Sequence, residues 1–337
     1  MDIKEILSHL TETAGVSGDE YAVSVLAADI LGEYGEASAD RNTGCVYFKR
    51  SGWEKDKPVV LLDAHIDEIG MIVTYITDDG FLKVSGCGGL DNRVLLAQQV
   101  TVCGREKLIG IVTSTPPHLE KDSSMAPETE DIYIDIGLSG ERARELVDLG
   151  DRVLIENCLA ELQGGRVTSK ALDDRSGMAA IIFALDKLKD KKLAVNVAVL
   201  FSSQEEIGER GAQIGAYSID PDMAVVVDVS FAKTHGESPE NCGELGGGPM
   251  IGIAPSLSRR LSEDMLRIAR ENHIPYQTEV MGGKTGTNAD AIGIIRGGVP
   301  AVTVSIPERY MHTPAEVVEI SDIENTAELI AEFLESV

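Results

Sequence analysis

The chain has 337 residues, more than a single hydrophobic core usually serves, so two domains are expected. Its 30 basic residues against 56 acidic ones give a net charge of −26, which repels nucleic-acid phosphates and anionic lipid headgroups and argues against both as partners. Five cysteines with no C-x-x-C pair, a polar helical N-terminus and no apolar run near ~20 residues lead us to expect a cytoplasmic protein with no membrane partner.

Ile3, Ile6, Leu7 and Leu10 recur at helical spacing, and Ser17 with Glu20 three residues on reads as a capping box for a second helix. CVYFKR and KPVVLLDAH follow as strands, the second apolar enough to be buried on both faces. From about residue 68 to 162 the texture changes to short alternating runs separated by turn residues: MIVTYIT, FLKVSG, VTVCG, LIGIVTS and DRVLIENCLAEL. This stretch reads as a small antiparallel β unit. Beyond Gly164-Gly165, Met178, Ile181, Ile182, Leu185 and Leu188 mark a helix, and LAVNVAVLF a long strand. MAVVVDVS, an amphipathic helix from Leu257 to Ile268, VPAVTVSIP and a last helix capped by Ser321 with Glu324 complete the alternation. The expected fold class is therefore α/β. Residues 1–67 and 163–337 form one α/β domain, interrupted by a β domain over 68–162.

Five places carry candidate chemistry. In LLDAHIDEIG, His65 and Asp67 lie two residues apart at a strand end, where a carboxylate can orient a metal-bound imidazole or simply satisfy a structural one. KALDDRSG sets two carboxylates, Asp173 and Asp174, at a helix start, where capping alone accounts for them. The adjacent Glu205 and Glu206 in FSSQEEIGERGA follow a strand and point in different directions, so one can ligate while the other moves a proton. Asp228 sits in the apolar run VVVDVS, a costly position for a carboxylate that nothing binds. His312 follows another buried strand, in RYMHTP. Strand ends converge on the ligand crevice of α/β sheets, and three carboxylates with two imidazoles suit Zn²⁺, Co²⁺ or Mn²⁺. GGKTG at residues 282–286 lacks the first glycine of a phosphate loop, because Thr278 stands there, and neither H-E-x-x-H nor G-x-S-x-G occurs.

The stretches AHIDEIG, ALDDRSG, QEEIGERGA, VDVS and RYMHTP, in this order across the whole chain, resemble those of the M42 aminopeptidases. That family includes glutamyl aminopeptidases, TET peptidases and proteins described as endoglucanases. The resemblance implies a central mixed sheet flanked by helices, with an inserted PDZ-like β-barrel that builds dimers and, in many members, dodecamers. It implies peptide substrates and two divalent ions, one held by Asp173, Glu206 and His312, the other by His65, Asp173 and Asp228. Glu205 would be the general base, with Asp67 orienting His65 and Asp174 beside the bridging carboxylate but outside it. Asn288, where many relatives carry aspartate, and Gly247, where lysine is common, depart from the pattern. Two rival readings stand beside this one: a glycosidase using a carboxylate pair, and a scaffold that binds metal without catalysis.

Overall fold

The computed structural model describes residues 2–114, 127–236 and 238–337. In chain order the strands are β1 (Gly35–Ala39), β2 (Val46–Arg50), β3 (Val59–His65), β4 (Gly70–Ile76), β5 (Leu82–Cys87) and β6 (Gln99–Cys103). There follow β7 (Lys107–Thr113), β8 (Tyr133–Asp135), β9 (Arg152–Ile155), β10 (Ala160–Glu161), β11 (Arg166–Ser169) and β12 (Asn196–Ser202). The last are β13 (Met223–Phe231), β14 (Met250–Ile253), β15 (Gln277–Val280), β16 (Ala301–Glu308) and β17 (Glu316–Glu319).

Eight of these form one mixed sheet in the order β1-β2-β12-β3-β13-β16-β14-β15. Its middle four, β12, β3, β13 and β16, run parallel to one another. The helices Ile3–Glu12, Leu172–Leu188 and Ile320–Ser336 cover one face around Leu7, Leu185 and Ile330. Arg210–Ile219 and Asn288–Ile292 cover the other, with Ala212 and Ile292 against Leu61 and Leu200. A strand with helices on both sides buries both sets of side chains, which is why β3 and β12 are apolar almost without alternation. Because the four central strands are parallel, their carboxyl ends open on one edge of the sheet. His65 ends β3, Glu205 and Glu206 follow β12, Asp228 lies late in β13, and His312 follows β16.

The six strands between Gly70 and Ile155 close into a barrel, β4-β5-β8-β7-β6-β9, whose pairings are antiparallel. It has its own core around Met71, Val100, Ile134 and Val153. The run DRVLIENCLAEL, expected as one strand, divides into two. Its first half, β9, buries Val153, Leu154 and Ile155, with Val153 and Ile155 in the barrel core, while β10 pairs with β11, and β11 with β17, in a separate three-stranded sheet. Asn157 fixes the break by donating its side-chain N–H to the Pro314 carbonyl at 2.6 Å. The short β8 went unread in the sequence.

Both expected capping boxes take another form. Ser17 donates its hydroxyl to the Asp67 carboxylate at 2.6 Å, and the helix begins later, at Tyr21. Ser321 lies inside its helix, donating to Glu319 at 3.3 Å. In each case an ionisable acceptor from nearby captures the hydroxyl, because a charge-assisted hydrogen bond is stronger than one to a neutral group. The helix read over Leu257–Ile268 spans Arg259–Glu271. Among the described residues, no helix is long and apolar enough to cross a membrane.

Candidate active site

Folding brings all the singled-out side chains to the open edge of the sheet. Asp173 is central: its Oδ1 lies 2.8 Å from His65 Nε2 and its Oδ2 3.3 Å from His312 Nε2. Glu206 Oε1 also lies 3.3 Å from His312 Nε2, and Asp228 Oδ1 3.9 Å from His65 Nε2. The other ring nitrogen of His65 is 3.1 Å from the Asp67 carbonyl oxygen and 3.6 Å from its carboxylate. A carbonyl only accepts, so Nδ1 carries a hydrogen and Nε2 is the nitrogen that faces the carboxylates.

The two aspartates at the start of Leu172–Leu188 have different tasks. Asp174 accepts from the Gly177 N–H at 2.9 Å, a capping contact for the regular helix beyond it. Asp173 makes no such contact and faces the imidazoles. Backbone geometry supports the split, since neither residue has helical dihedrals. Asp174 is not remote, however, because it offers an oxygen within 4.8 Å of ligand atoms on His65 and Asp228.

Two buried carboxylates tie the loops together through backbone N–H groups. Asp67 accepts from Glu205 at 3.0 Å and Glu206 at 3.2 Å as well as from Ser17, so it fastens the loop after β12 to that after β3. Glu316 does the same opposite, accepting from Leu172 at 2.6 Å and from Asp173 and His312 at 3.2 Å each. Sequence reasoning missed Glu316 and the fully buried Glu308 beside it, whose two oxygens have no hydrogen-bond partner. The one available signal was the pair of glutamates flanking RYMHTP.

Negative charge accumulates here; among the described residues the ion-pair partners of Asp173, Asp228 and Glu206 are the two histidines, while the buried Arg175 guanidinium acts on Glu68, Asp67 and Asp174. Burial pushes the Glu205 carboxyl up to about 8 and lifts Asp174, Asp228, Glu308 and Glu316 well above the carboxylate range. Hydrogen bonds to Asp173 and Glu206 raise His312 to about 11. Burial would raise Asp173 too, but its bonds with His312 and His65 outweigh it and hold it low. A neutral imidazole lone pair and a carboxylate oxygen 2.8 Å apart are both acceptors, so either a proton or a cation must lie between them. Two groups of donor atoms, on His65, Asp173 and Glu206 and on His65, Asp174 and Asp228, each fall within 4.8 Å. This oxygen- and imidazole-rich set fits divalent cations.

The family model described as M42 glutamyl aminopeptidase matches residues 44–329. The chain belongs to the M42 peptidase family. A lysyl aminopeptidase of Pyrococcus furiosus is 32% identical over 98% of this chain and 96% of its own length. An aminopeptidase of Desulfurococcus kamchatkensis superposes with a TM-score of 0.92 at 35% identity, covering 99% of this chain and 95% of that one. The TET1 peptidase of Pyrococcus horikoshii, which can assemble into a tetrahedron or a large octahedral shell, gives 0.88 at 31% identity over 100% of both chains. Hydrolysis at peptide N-termini is the activity this membership supports. Glutamyl and lysyl descriptions name opposite side-chain charges, so the family leaves the preferred residue open.

In this M42 chain the site opens into a cavity of about 640 Å³. The barrel contributes to its rim through the loop after β5. A Cβ on Gly89 would stand 2.9 Å from His312 Nδ1, and one on Gly88 would stand 2.6 Å from Ile69 in a backbone with φ of +90°, so both positions demand glycine. At both departures noted in the sequence, the partners are residues other than the candidate ligands. Asn288 is buried, donating to Asp63 at 2.8 Å and to the Ser202 hydroxyl at 2.7 Å, while Thr285, Gly286 and Thr287 line the cavity. A Cβ at Gly247 would press on the Gln277 amide at 2.6 Å. The GGKTG segment ends in a turn whose Thr285 and Gly286 N–H groups donate to the Asp290 carboxylate.

Proposed function

We propose that the protein removes N-terminal residues from peptides with two divalent cations, one at Asp173, Glu206 and His312 and the other at His65, Asp173 and Asp228. The observation that carries the reading is the Asp173 carboxylate, whose two oxygens face two different imidazoles. Bound there, Zn²⁺, Co²⁺ or Mn²⁺ would supply Lewis acidity and make water a nucleophile near neutral pH.

Glu205 is the general base. Burial raises its proton affinity toward neutrality, so it can take a proton from the attacking water and return it to the departing amine. Water oxygen bonds to the scissile carbonyl carbon, the C–N bond breaks, and the proton passes through Glu205 to the leaving nitrogen. Asp67 keeps Glu205 and Glu206 in place through their N–H groups and orients His65. The substrate's free amine is held among the carboxylates, which confines cleavage to the first residue. In this reading residues 68–162 act as an inserted PDZ-like dimerisation domain on the domain of residues 1–67 and 163–337, and the cytoplasmic protein assembles as dimers or larger homo-oligomers, as the TET1 relative does.

The test is a panel of aminoacyl p-nitroanilides with a cellulosic substrate beside it, assayed after chelation and after return of Zn²⁺, Co²⁺ or Mn²⁺. Aminoacyl hydrolysis that disappears with chelator and returns with metal is expected. Chelator-resistant cleavage of the polysaccharide would replace the reading with the glycosidase one, and reversible metal binding without turnover would leave a scaffold.

A further inference from the structure

We propose that Glu279 makes the cavity selective for a cationic first residue, lysine or arginine; this deepens the aminopeptidase reading and rests on it. The register of the sheet places Glu279 on the face that carries Asp228. Asp228 pairs with Ser305, Ser305 with Met250, and Glu279 with Gly252, two residues along β14 from Met250. Ser230, two residues beyond Asp228 on its strand, shares that face. Glu279 therefore starts far from the catalytic carboxylates, on the edge strand β15. Its side chain leans back across β14 to reach serines on β16 and β13. Ser305 donates its hydroxyl to Glu279 Oε2 at 3.0 Å, and Ser230 donates to Oε1.

Those two contacts fix the position of the carboxylate. Ser305 is the strand neighbour of Asp228, and Ser230 follows it at i+2, so the Glu279 carboxylate sits roughly 5–10 Å from Asp228, given strand spacings near ~4.8 Å and ~3.3 Å per residue. That is the reach of a flexible four-carbon amine whose backbone is held among the catalytic carboxylates. A carboxylate has about four acceptor sites, and the serines use two, leaving the others for an ammonium or guanidinium. Phe231, Met250 and Met281 line the same cavity and offer apolar contact to the methylene stem. Among the described residues no lysine or arginine lines it, so a glutamyl or aspartyl side chain reaching Glu279 would meet a carboxylate with no lysine or arginine beside it.

The experiment compares kcat/KM of the metal-loaded full chain for lysyl, arginyl, norleucyl, leucyl and glutamyl p-nitroanilides, together with the dipeptides Lys-Leu and Leu-Lys. The lysyl and arginyl substrates should exceed norleucyl by about ten- to hundredfold, the range of a hydrogen bond to a charged group. Lys-Leu should exceed Leu-Lys, and the lysyl preference should shrink with salt. In Glu279→Gln the lysyl-to-norleucyl ratio should fall about tenfold or more, and Glu279→Lys should favour glutamyl over lysyl. Competitive inhibition of the unaltered protein by free lysine against norleucine gives the same readout if a variant fails to fold. Hydrolysis with norleucyl or glutamyl preferred, preference for Leu-Lys, or a ratio that Glu279→Gln leaves unchanged would overturn the assignment. Hydrolysis of no aminoacyl substrate at all would instead remove the aminopeptidase reading beneath it.

Discussion

The barrel and the open edge of the large sheet are both buried, yet they are held together by opposite means. Inside the barrel, Met71, Val100, Ile134 and Val153 pack apolar surface against apolar surface. At the sheet edge, Asp173, Asp174, Asp228, Glu308 and Glu316 are almost wholly shielded from water, with two histidines, Arg175 and backbone N–H groups answering part of their charge. Burying unpaired carboxylates opposes folding, whereas burying Ile134 favours it. Stability resides in one region, and the other is organised for chemistry at a cost to stability.

The sharpest way to break this contrast is to change each region and ask which quantity moves. Glu205→Gln keeps the shape and removes the proton acceptor, so kcat should drop by about 10² to 10⁴-fold while metal content and melting temperature stay close to those of the parent. Steady-state kinetics with metal analysis reads this, and retained turnover would refute the base assignment. Ile134→Ala should do the reverse, costing about 2–5 kcal/mol in denaturant unfolding while the folded fraction keeps its kcat. A kinetic defect there would mean the barrel core and the site are not separable. Glu316→Gln lies between, because one amide oxygen cannot serve all three N–H groups that Glu316 now serves. Divalent affinity measured by competition with a chelator should weaken about 10–100-fold, as when other groups that orient metal ligands are altered. Unchanged affinity would make Glu316 merely structural.

The smallest effect concerns Glu20, whose carboxyl burial pushes from its ordinary 4.5 up to about 7. A raised folded-state value means the protonated form favours folding. That contribution is present below 4.5 and is lost as pH climbs through about 7. Between about pH 5 and pH 8 the parent's melting temperature should therefore fall further than that of Glu20→Gln. Parallel curves would place Glu20 in a wetter setting.

Much of this was legible in the residues. Buried parallel strands announce themselves as unbroken apolar runs, which made β3, β12, β13 and β16 readable, and with them the carboxylates and histidines at their ends. The barrel strands other than the short β8 were readable from alternation and turn residues. Asp228 stood out because a carboxylate among valines needs a partner. What could not be read was competition for hydrogen bonds over long sequence separations: Ser17 looked like a helix cap until Asp67, 50 residues away, took its hydroxyl. Glu316, which accepts from Leu172, Asp173 and His312, was likewise not singled out.

The sequence by itself determined the family, the alternation of elements and the donor types, because these are properties of local pattern and residue chemistry. The family resemblance already set Asp173 apart from Asp174; only the tertiary structure showed that Asp173 faces both imidazoles while Asp174 accepts from the Gly177 N–H. It also carried Glu279 from an edge strand to the cavity near Asp228. Both are matters of where side chains from distant strands meet, and a linear pattern of residues does not encode distance across a sheet.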